Sequence, residues 1–276
     1  MLKRYFIKSV LLIIVAVCIF GAVGCNKKTW DYNSEENIAA AENHKPFDGI
    51  KSVAEEYDFP EMTEPFKVID VSAWQEEVDY AKVKESGVEG VIIRLARYNM
   101  DKDPYFDRNY TEAKKHGLLV GCYYFIGASN VKEAEKEAEK VIQLLDEKKY
   151  ELELPVFYDV EDEHDTFPGN ITILDDQRLT DMVKRFCDTL LENGYYAGFY
   201  CNLKFAKNEI YMDQLSKYPF WVARWSENNA CKYPYAVWQY SASGSVPGVN
   251  GDCDVDLCFA DFHTYIRANG YNNLKK

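Results

Sequence analysis

Two acidic side chains stand at the end of a strongly apolar stretch. The segment LPVFYDVE covers residues 154–161, so Asp159 and Glu161 are separated by one residue. Side chains alternate between the two faces of a strand, so both carboxylates point to the same side, with Cα atoms roughly 6.5–7 Å apart. Buried carboxylates are costly unless they are paired, solvated or used in chemistry. The pattern fits a catalytic acid pair, and it equally fits a strand that emerges into solvent or an acid bonded to a neighbouring loop.

Strand and helix patterns alternate along the chain around this segment. Strands are predicted over residues 67–71, 90–95, 118–126, 154–160, 197–200, 220–223, 236–240 and 255–259. Helices are predicted over residues 78–86 and 105–116, from residue 130 to about 145, and from residue 175 or 176 to about 190. This alternation indicates a mostly parallel sheet. About eight strands in some 200 residues predict a shortened, irregular (β/α) barrel, TIM-barrel-like, whose last strands are candidates for antiparallel pairing.

In such a barrel the site lies at the carboxyl ends of the strands. Asp70 ends the first strand, Asp159 and Glu161 end the fourth, and Trp238 and Asp254 lie on or beside the last two. Converging carboxylates with aromatic rings suit glycoside hydrolysis, because one acid protonates the leaving oxygen and another stabilises the cationic centre. The same cluster could bind a divalent cation, but its ligands would come from three distant strands and His is scarce. We therefore expect no metal and no cofactor.

Composition and charge narrow the possible partners. The chain has 276 residues, 47% of them hydrophobic, which is enough for one larger domain with a sizeable core. Its formal net charge is −13, which argues against a nucleic-acid partner because phosphate binding needs a basic stripe. The 21 tyrosines are typical both of ordinary packing and of sites that stack on sugar-like faces.

The amino terminus has the pattern of an export signal. Lys3, Arg4 and Lys8 precede an apolar or small run over residues 10–24, which is shorter than the ~20 residues of a membrane-spanning helix. The run ends in AVGC at Cys25, which resembles a bacterial lipobox in which the cysteine is lipidated. An uncleaved amino-terminal helix is the alternative anchor. Either places the rest of the chain outside the cytoplasm, tethered to the bacterial cell membrane.

Four segments follow from these patterns. Residues 1–25 are the lipoprotein signal peptide, residues 26–65 an acidic flexible linker, residues 66–268 the catalytic domain and residues 269–276 a carboxyl-terminal tail. We expect the chain to act as a monomer. Six cysteines remain after the signal and the lipobox, an even number that permits disulfides outside the cytoplasm without fixing their pairing.

An ordered set of short motifs resembles the lysozymes of glycoside hydrolase family 25, the N-acetylmuramidases. The resemblance covers about residues 67–267 and extends over nearly all of the globular part. Its motifs are DVSxWQ from Asp70, IR ending at Arg94, DxxFxxN from Asp103, GxYYF from Gly121, LPVxxDVE from Leu154, WVAR from Trp221, WQYS from Trp238 and GxxGxCD ending at Asp254. Glu76 and Glu77 follow the first motif where the family often has glycine.

The resemblance implies hydrolysis of the β-1,4 bond between N-acetylmuramic acid and N-acetylglucosamine in peptidoglycan glycan strands. By position it makes Glu161 the general acid and Asp159 its partner, which assists the substrate's 2-acetamido group or the cationic centre. Asp70 and Asp254 flank the site. The residues expected to contact substrate are Tyr124, Tyr200, Trp238 and Arg94, the last also as a buried partner of the site's carboxylates. Two alternatives stay open: a non-catalytic glycan-binding lipoprotein on the same fold, and a hydrolase of another N-acetylhexosamine polymer such as chitin.

Overall fold

The computed structural model describes residues 59–60, 62, 64–161, 174–226 and 229–274. All of them belong to the larger of two compact units, Asp31–Lys276. The signal segment, Cys25 and most of the predicted linker lie outside the described residues. Within the described part, no helix has both the length and the apolar character needed to cross a membrane. The six cysteines after Cys25 are free thiols, and five of them are buried.

Eight strands of the described chain form a closed barrel in sequence order. They are β1 (Phe66–Val71), β2 (Val88–Ala96), β3 (Leu119–Phe125), β4 (Val156–Asp159), β5 (Ala197–Asn202), β6 (Phe220–Ala223), β7 (Val237–Gly244) and β8 (Cys253–Cys258). Neighbours from β1 to β7 pair in parallel. Strand β8 runs antiparallel to both β7 and β1. The predicted irregular barrel with an antiparallel end is confirmed.

Helices cover the outside of the barrel. They are α1 (Tyr80–Glu85), α2 (Phe106–Lys115), α3 (Val131–Lys148), α4 (Asp176–Glu192), α5 (Leu203–Asn208) and α6 (Phe262–Asn269). Two further 3₁₀ turns span Ala73–Gln75 and Met212–Leu215. The long helices α3 and α4 begin at Asn130 and Asp175, whose side chains accept hydrogen bonds from backbone N–H groups three residues on. Only short helical pieces follow β5 in the described chain, so the helical layer thins towards β8.

Aromatic side chains fill the inside of the barrel beneath its mouth. The ring of Phe157 lies 5.2 Å from that of Trp221, and the ring of Tyr200 lies 4.6 Å from it on the next level. Gly198 makes room for this layer, since a Cβ there would stand 2.9 Å from the Phe157 ring. The barrel is therefore a packed core whose cavity is confined to one end.

Both predicted ends of the catalytic domain need correction. Phe59, placed in the linker by the sequence, is buried, with its ring centroid 5.1 Å from that of Phe262. Asn272, placed in the tail, is fully buried and bonds to the starts of two strands. Its Oδ1 accepts from the Tyr196 N–H at 2.7 Å and its Nδ2 donates to the Leu154 carbonyl at 3.1 Å. The folded unit therefore extends beyond residues 66–268 on both sides.

Candidate active site

A cavity of about 310 Å³ opens at the end of the barrel where the parallel strands terminate. Every strand except β8 brings its carboxyl end to this mouth, and the reversed β8 brings its amino end. The lining residues are Asp70, Val71, Ser72, Trp74, Gln75, Arg94, Arg97, Tyr98, Tyr123, Phe125, Asp159, Glu161, Tyr200, Trp221, Trp225, Gln239, Ala242 and Asp254. The four acids predicted from the sequence are all among them.

Three aspartates from β1 and β8 meet at the base of this cavity. Asp70 and Asp254 are directly opposite in the antiparallel pair of β1 and β8. Asp256, two residues further along β8, points the same way and is fully buried. The charges of Asp254 and Asp256 both act on Asp70. Because like charges at close range disfavour ionisation of one another, the three carboxyl groups do not titrate independently.

Burial and mutual repulsion favour the neutral forms of these acids. Burial raises the pKa of Asp70 well above its ordinary value, and the charges of Asp254, Asp256 and Asp159 add to the effect. The pKa of Asp256 is likewise well above its ordinary value, mainly because of burial. Burial raises the pKa of Asp254 to about 6. The cluster therefore carries fewer negative charges at neutral pH than its number of carboxyl groups implies.

Hydrogen-bond donors from the neighbouring strands hold the cluster in place. Gln239 on β7 donates from Nε2 to the Asp70 Oδ2 at 2.9 Å. The Gln239 Oε1 accepts from the Tyr200 hydroxyl at 3.1 Å and from the Trp225 indole N–H at 3.0 Å. The indole N–H of Trp221 donates to the Asp256 Oδ1 at 2.8 Å. One amide side chain thus connects an acid at the base of the cavity with two aromatic residues on its wall.

Asp159 and Glu161 lie at the end of β4. Asp159 is buried and Glu161 is half-buried, and both line the cavity. The backbone is fixed there, since the Val160 N–H donates to the Tyr200 carbonyl at 2.8 Å and the Ile126 N–H to the Asp159 carbonyl at 3.0 Å. Both acids lie close to Tyr200, whose phenol pKa is raised first by burial and then by Glu161 and Asp159.

A short turn after β1 presents Trp74 at the rim. The Ser72 hydroxyl oxygen accepts a hydrogen bond from the Trp74 N–H at 3.2 Å, and the Gln75 Oε1 accepts one from the Ser72 N–H at 2.9 Å, which forms a capping box. The buried carboxylate of Asp103 anchors the same turn by accepting from the Ala73 N–H at 3.0 Å. With its backbone held in this way, the Trp74 side chain is 78% exposed.

Three of the four exposed large hydrophobic side chains in the described chain lie on this cavity. They are Trp74, Tyr98 and Trp225, at 78%, 38% and 53% exposure. Exposed aromatic rings next to carboxylates are suited to stacking on the apolar faces of sugar rings while their polar edges remain solvated. The described residues contain no cluster of His, Cys, Asp and Glu arranged to hold a metal ion.

Two of the expected substrate contacts need correction. Tyr124 is fully buried on the outer face of the barrel wall, with its ring centroid 6.1 Å from that of Phe186 on α4. Trp238 is also fully buried, and its indole N–H donates to the Arg224 carbonyl at 2.9 Å. Their chain neighbours Tyr123 and Gln239 face the cavity instead. Both errors are a choice of the wrong face of a strand.

The remaining predicted contacts lie on the cavity wall. Tyr200 on β5 and Arg94 on β2 both line the cavity. The partner of Arg94 is Asp103, at 2.9 Å from Nε, and not one of the acids at the mouth. Sequence reasoning missed Asp256, although its spacing of two residues from Asp254 is the same signal that grouped Asp159 with Glu161.

A barrel whose mouth combines converging carboxylates with exposed tryptophans is typical of glycoside hydrolases. Comparison with known families agrees: residues 69–249 match the family described as glycosyl hydrolases family 25. Since this match covers more than half of the chain, the chain belongs to that family. The resemblance carried by the sequence motifs is confirmed.

Individual relatives are moderately similar. The chain is 28% identical over 191 residues to an autolytic lysozyme of Clostridium acetobutylicum, covering 69% of this chain and 55% of that protein. It therefore spans about half the length of this curated relative. It is 27% identical over 209 residues to lysozyme M1 of Streptomyces globisporus, covering 71% of this chain and 68% of the relative.

Solved structures show the same architecture. The modular autolysin LytC from Streptococcus pneumoniae, in complex with a synthetic peptidoglycan ligand, matches with a TM-score of 0.63 at 25% identity, over 70% of this chain and 46% of that one. A bacterial lysozyme from Streptomyces coelicolor has a similar fold, with a TM-score of 0.63 at 24% identity, over 78% of this chain and 100% of that one.

Proposed function

We propose that this protein hydrolyses the β-1,4 bond between N-acetylmuramic acid and N-acetylglucosamine in peptidoglycan. The observation that carries the proposal is the placement of Asp159 and Glu161 together at the end of β4, on a cavity that also exposes Trp74 and Trp225. Family membership and the lysozymes and autolysin among its relatives support the same substrate class.

Glu161 is suited to the role of general acid. It is the more exposed of the two acids and reaches the cavity from the strand end, where a leaving oxygen can approach it. In the proposed reaction the Glu161 carboxyl gives its proton to the glycosidic oxygen as the bond from that oxygen to the anomeric carbon breaks. Water then adds to the anomeric carbon and returns a proton to a carboxylate of the site.

Asp159 supports the positive charge that develops at the sugar ring. Its carboxylate lies two residues before Glu161 on the same side of β4, buried at the cavity wall. In the proposed mechanism it acts either on the cationic centre directly or through the substrate's own 2-acetamido group. A charge placed in a site with little water stabilises the developing cation more strongly than the same charge in bulk solvent.

The test compares Glu161→Gln with wild-type full-length protein on purified peptidoglycan. Loss of the general acid lowers the release of reducing ends by at least about 100-fold. Mass analysis identifies the bond, since the proposed cleavage leaves N-acetylmuramic acid at the new reducing end. Glu89→Gln is the matched control, because Glu89 is exposed at the opposite end of β2. Full activity in the Glu161 variant would sink the assignment.

The same experiment separates the two alternatives. A glycan-binding lipoprotein would retain peptidoglycan without releasing reducing ends in any variant. A hydrolase of another N-acetylhexosamine polymer would cleave chitin oligomers at least as fast as muramyl chains. The acids at the mouth favour an enzyme, because a binding module has no need for two converging carboxyl groups beside exposed aromatic rings.

We also propose that the protein is exported and anchored outside the cytoplasm by lipid on Cys25. In this proposal the acidic segment that follows Cys25 is a linker, and the chain acts as a monomer. The charged start and the apolar run before Cys25 support export and anchoring. Cys25→Ala in a bacterial host removes incorporation of a labelled fatty acid. Persistent labelling in that variant would contradict the lipid anchor.

A further inference from the structure

Arg97 is an exposed cation on the wall of an otherwise acidic cavity. Among the described residues that line the cavity, the basic ones are Arg94 and Arg97. Arg94 places Nε and a terminal nitrogen on Asp103, at 2.9 and 2.8 Å, so its charge is neutralised. Arg97 forms no ion pair with the described carboxylates. Its positive charge is therefore available to a ligand.

The backbone under Arg97 is held by a tight turn after β2. Its N–H donates to the Asp101 carbonyl at 3.4 Å, and its carbonyl accepts from the Met100 N–H at 2.6 Å. The guanidinium lies over the ring of Tyr98, 5.8 Å from the ring centroid. Gly127 packs directly behind this turn, since a Cβ there would stand 2.5 Å from Tyr98. The cation thus has a defined position on the aromatic rim.

The negative charge around Arg97 bears on which ligands the cavity can accept. The cavity is lined by Asp70, Asp159, Glu161 and Asp254, and the chain carries a net charge of −13. An approaching anion is repelled by such a site unless a cation meets it within about 10 Å, the distance over which salt screens a charge. The planar guanidinium fork matches the geometry of a carboxylate.

In the proposed substrate the sugar rings are uncharged, and the anionic groups are carboxylates on the muramyl substituent. Where the stem peptide is present, these are the carboxylates of the peptide. Where it has been removed, the lactyl group ends in a free carboxylate. Both sources put an anion on the substituent of the sugar that must enter the cavity, and Arg97 is a cation on the wall of that cavity.

We infer that Arg97 binds a carboxylate of the muramyl substituent, and so makes this site select carboxylate-bearing glycan over uncharged N-acetylhexosamine polymers. The inference rests on the proposed function and names a specificity-determining residue for it. Arg97 takes no part in bond cleavage, so its removal changes selectivity and leaves the chemical step intact.

The test uses full-length wild type and Arg97→Gln on four soluble substrates. These are glycan chains with stem peptides, chains stripped by an amidase so that lactyl carboxylates are free, and both preparations after conversion of their carboxylates to amides. Initial rates of reducing-end release at low substrate concentration give kcat/KM. Arg267→Gln is the matched control, since Arg267 is exposed on α6 and its loss changes net charge equally.

Arg97→Gln lowers kcat/KM on carboxylate-bearing chains by about fivefold, the upper end of what one exposed charge pair contributes. On amidated chains it equals wild type, and Arg267→Gln equals wild type on every substrate. A loss confined to peptide-bearing chains identifies the stem peptide as the source, and a loss confined to stripped chains identifies the lactyl group. No loss, or equal loss on free and amidated chains, overturns the inference. Absence of cleavage by wild type on all four substrates overturns the proposed function, and the inference with it.

Discussion

Glu137 is a buried acid whose protonation should be measurable through stability. It lies on α3 with 2% exposure, its Oε1 accepts from the Gly127 N–H at 2.9 Å, and its Oε2 accepts from the Tyr158 hydroxyl at 2.6 Å. Burial raises its pKa from 4.5 to about 7, against the opposing effect of both hydrogen bonds. Between these values the folded protein keeps a proton that the unfolded chain has released.

This difference sets the sign and size of the effect. A raised carboxyl pKa contributes stability that is fully present below pH 4.5 and is lost as the pH rises through about 7. At 1.36 kcal/mol per pKa unit, the contribution that disappears between about pH 5 and about pH 8 is about 2.5 kcal/mol. Glu137→Gln keeps an oxygen for the Gly127 N–H and cannot ionise. Its stability relative to wild type should therefore rise by about that amount over the same interval.

Urea-induced unfolding of full-length protein, followed by tryptophan fluorescence, measures this difference directly. Glu133→Gln is the matched control on the same helix, because backbone and side-chain hydrogen bonds from Ser129 lower the Glu133 pKa. Glu133 is therefore ionised in both states over this interval, and its variant should differ from wild type by a constant amount. A Glu137→Gln difference that is also constant from pH 5 to pH 8, within about 0.5 kcal/mol, would refute the neutral buried carboxyl.

Two further substitutions address the cavity itself. Asp103→Ala should cost about 3 kcal/mol of unfolding free energy, because it leaves Arg94 largely buried without its partner. It should also lower kcat/KM, because the turn that carries Trp74 loses its anchor. A loss of unfolding free energy under about 1 kcal/mol in urea unfolding would contradict this prediction. Asp256→Asn should change the unfolding free energy at neutral pH by less than about 1 kcal/mol. Burial already favours the protonated form of Asp256, and the amide oxygen of Asn can accept the hydrogen bond from Trp221. A loss above about 3 kcal/mol in the same assay would show that the Asp256 carboxyl is charged.

The sequence predicted the barrel and its acids because both depend on order along the chain. Apolar segments ending in Asp70 and Asp159 alternate with helical patterns, and parallel strands with that alternation must close with their carboxyl ends together. The final antiparallel strand followed from the scarcity of helical residues between the last strands. The strands, the helices and the acids at strand ends could all be predicted from short runs of consecutive residues.

Which side chains of a strand face the cavity was harder to predict than the order of the strands. Strand β3 carries Tyr123 and Tyr124 in succession, and a strand buried on both sides shows no polar contrast to tell its faces apart. The register decides: Phe125 is the partner of Asp159, so Tyr123, two residues earlier, shares the cavity side. The prediction of Trp238 as a substrate contact was wrong for the same reason. Without the strand register, the sequence does not show that Gln239, and not Trp238, faces the cavity.

The depth of each acid in the barrel explains how so many carboxyl groups share one cavity. Asp256 is fully buried, Asp70 and Asp159 are nearly so, and Glu161 is half-buried at the opening. Ionisation costs most where burial is deepest. The pKa values of Asp70 and Asp256 are raised well above the ordinary value by burial, and these two acids accept hydrogen bonds from Gln239 and Trp221. An uncharged sugar entering the cavity therefore meets less negative charge than the number of acids implies, and Glu161 at the strand end is more exposed to it than Asp70 or Asp159.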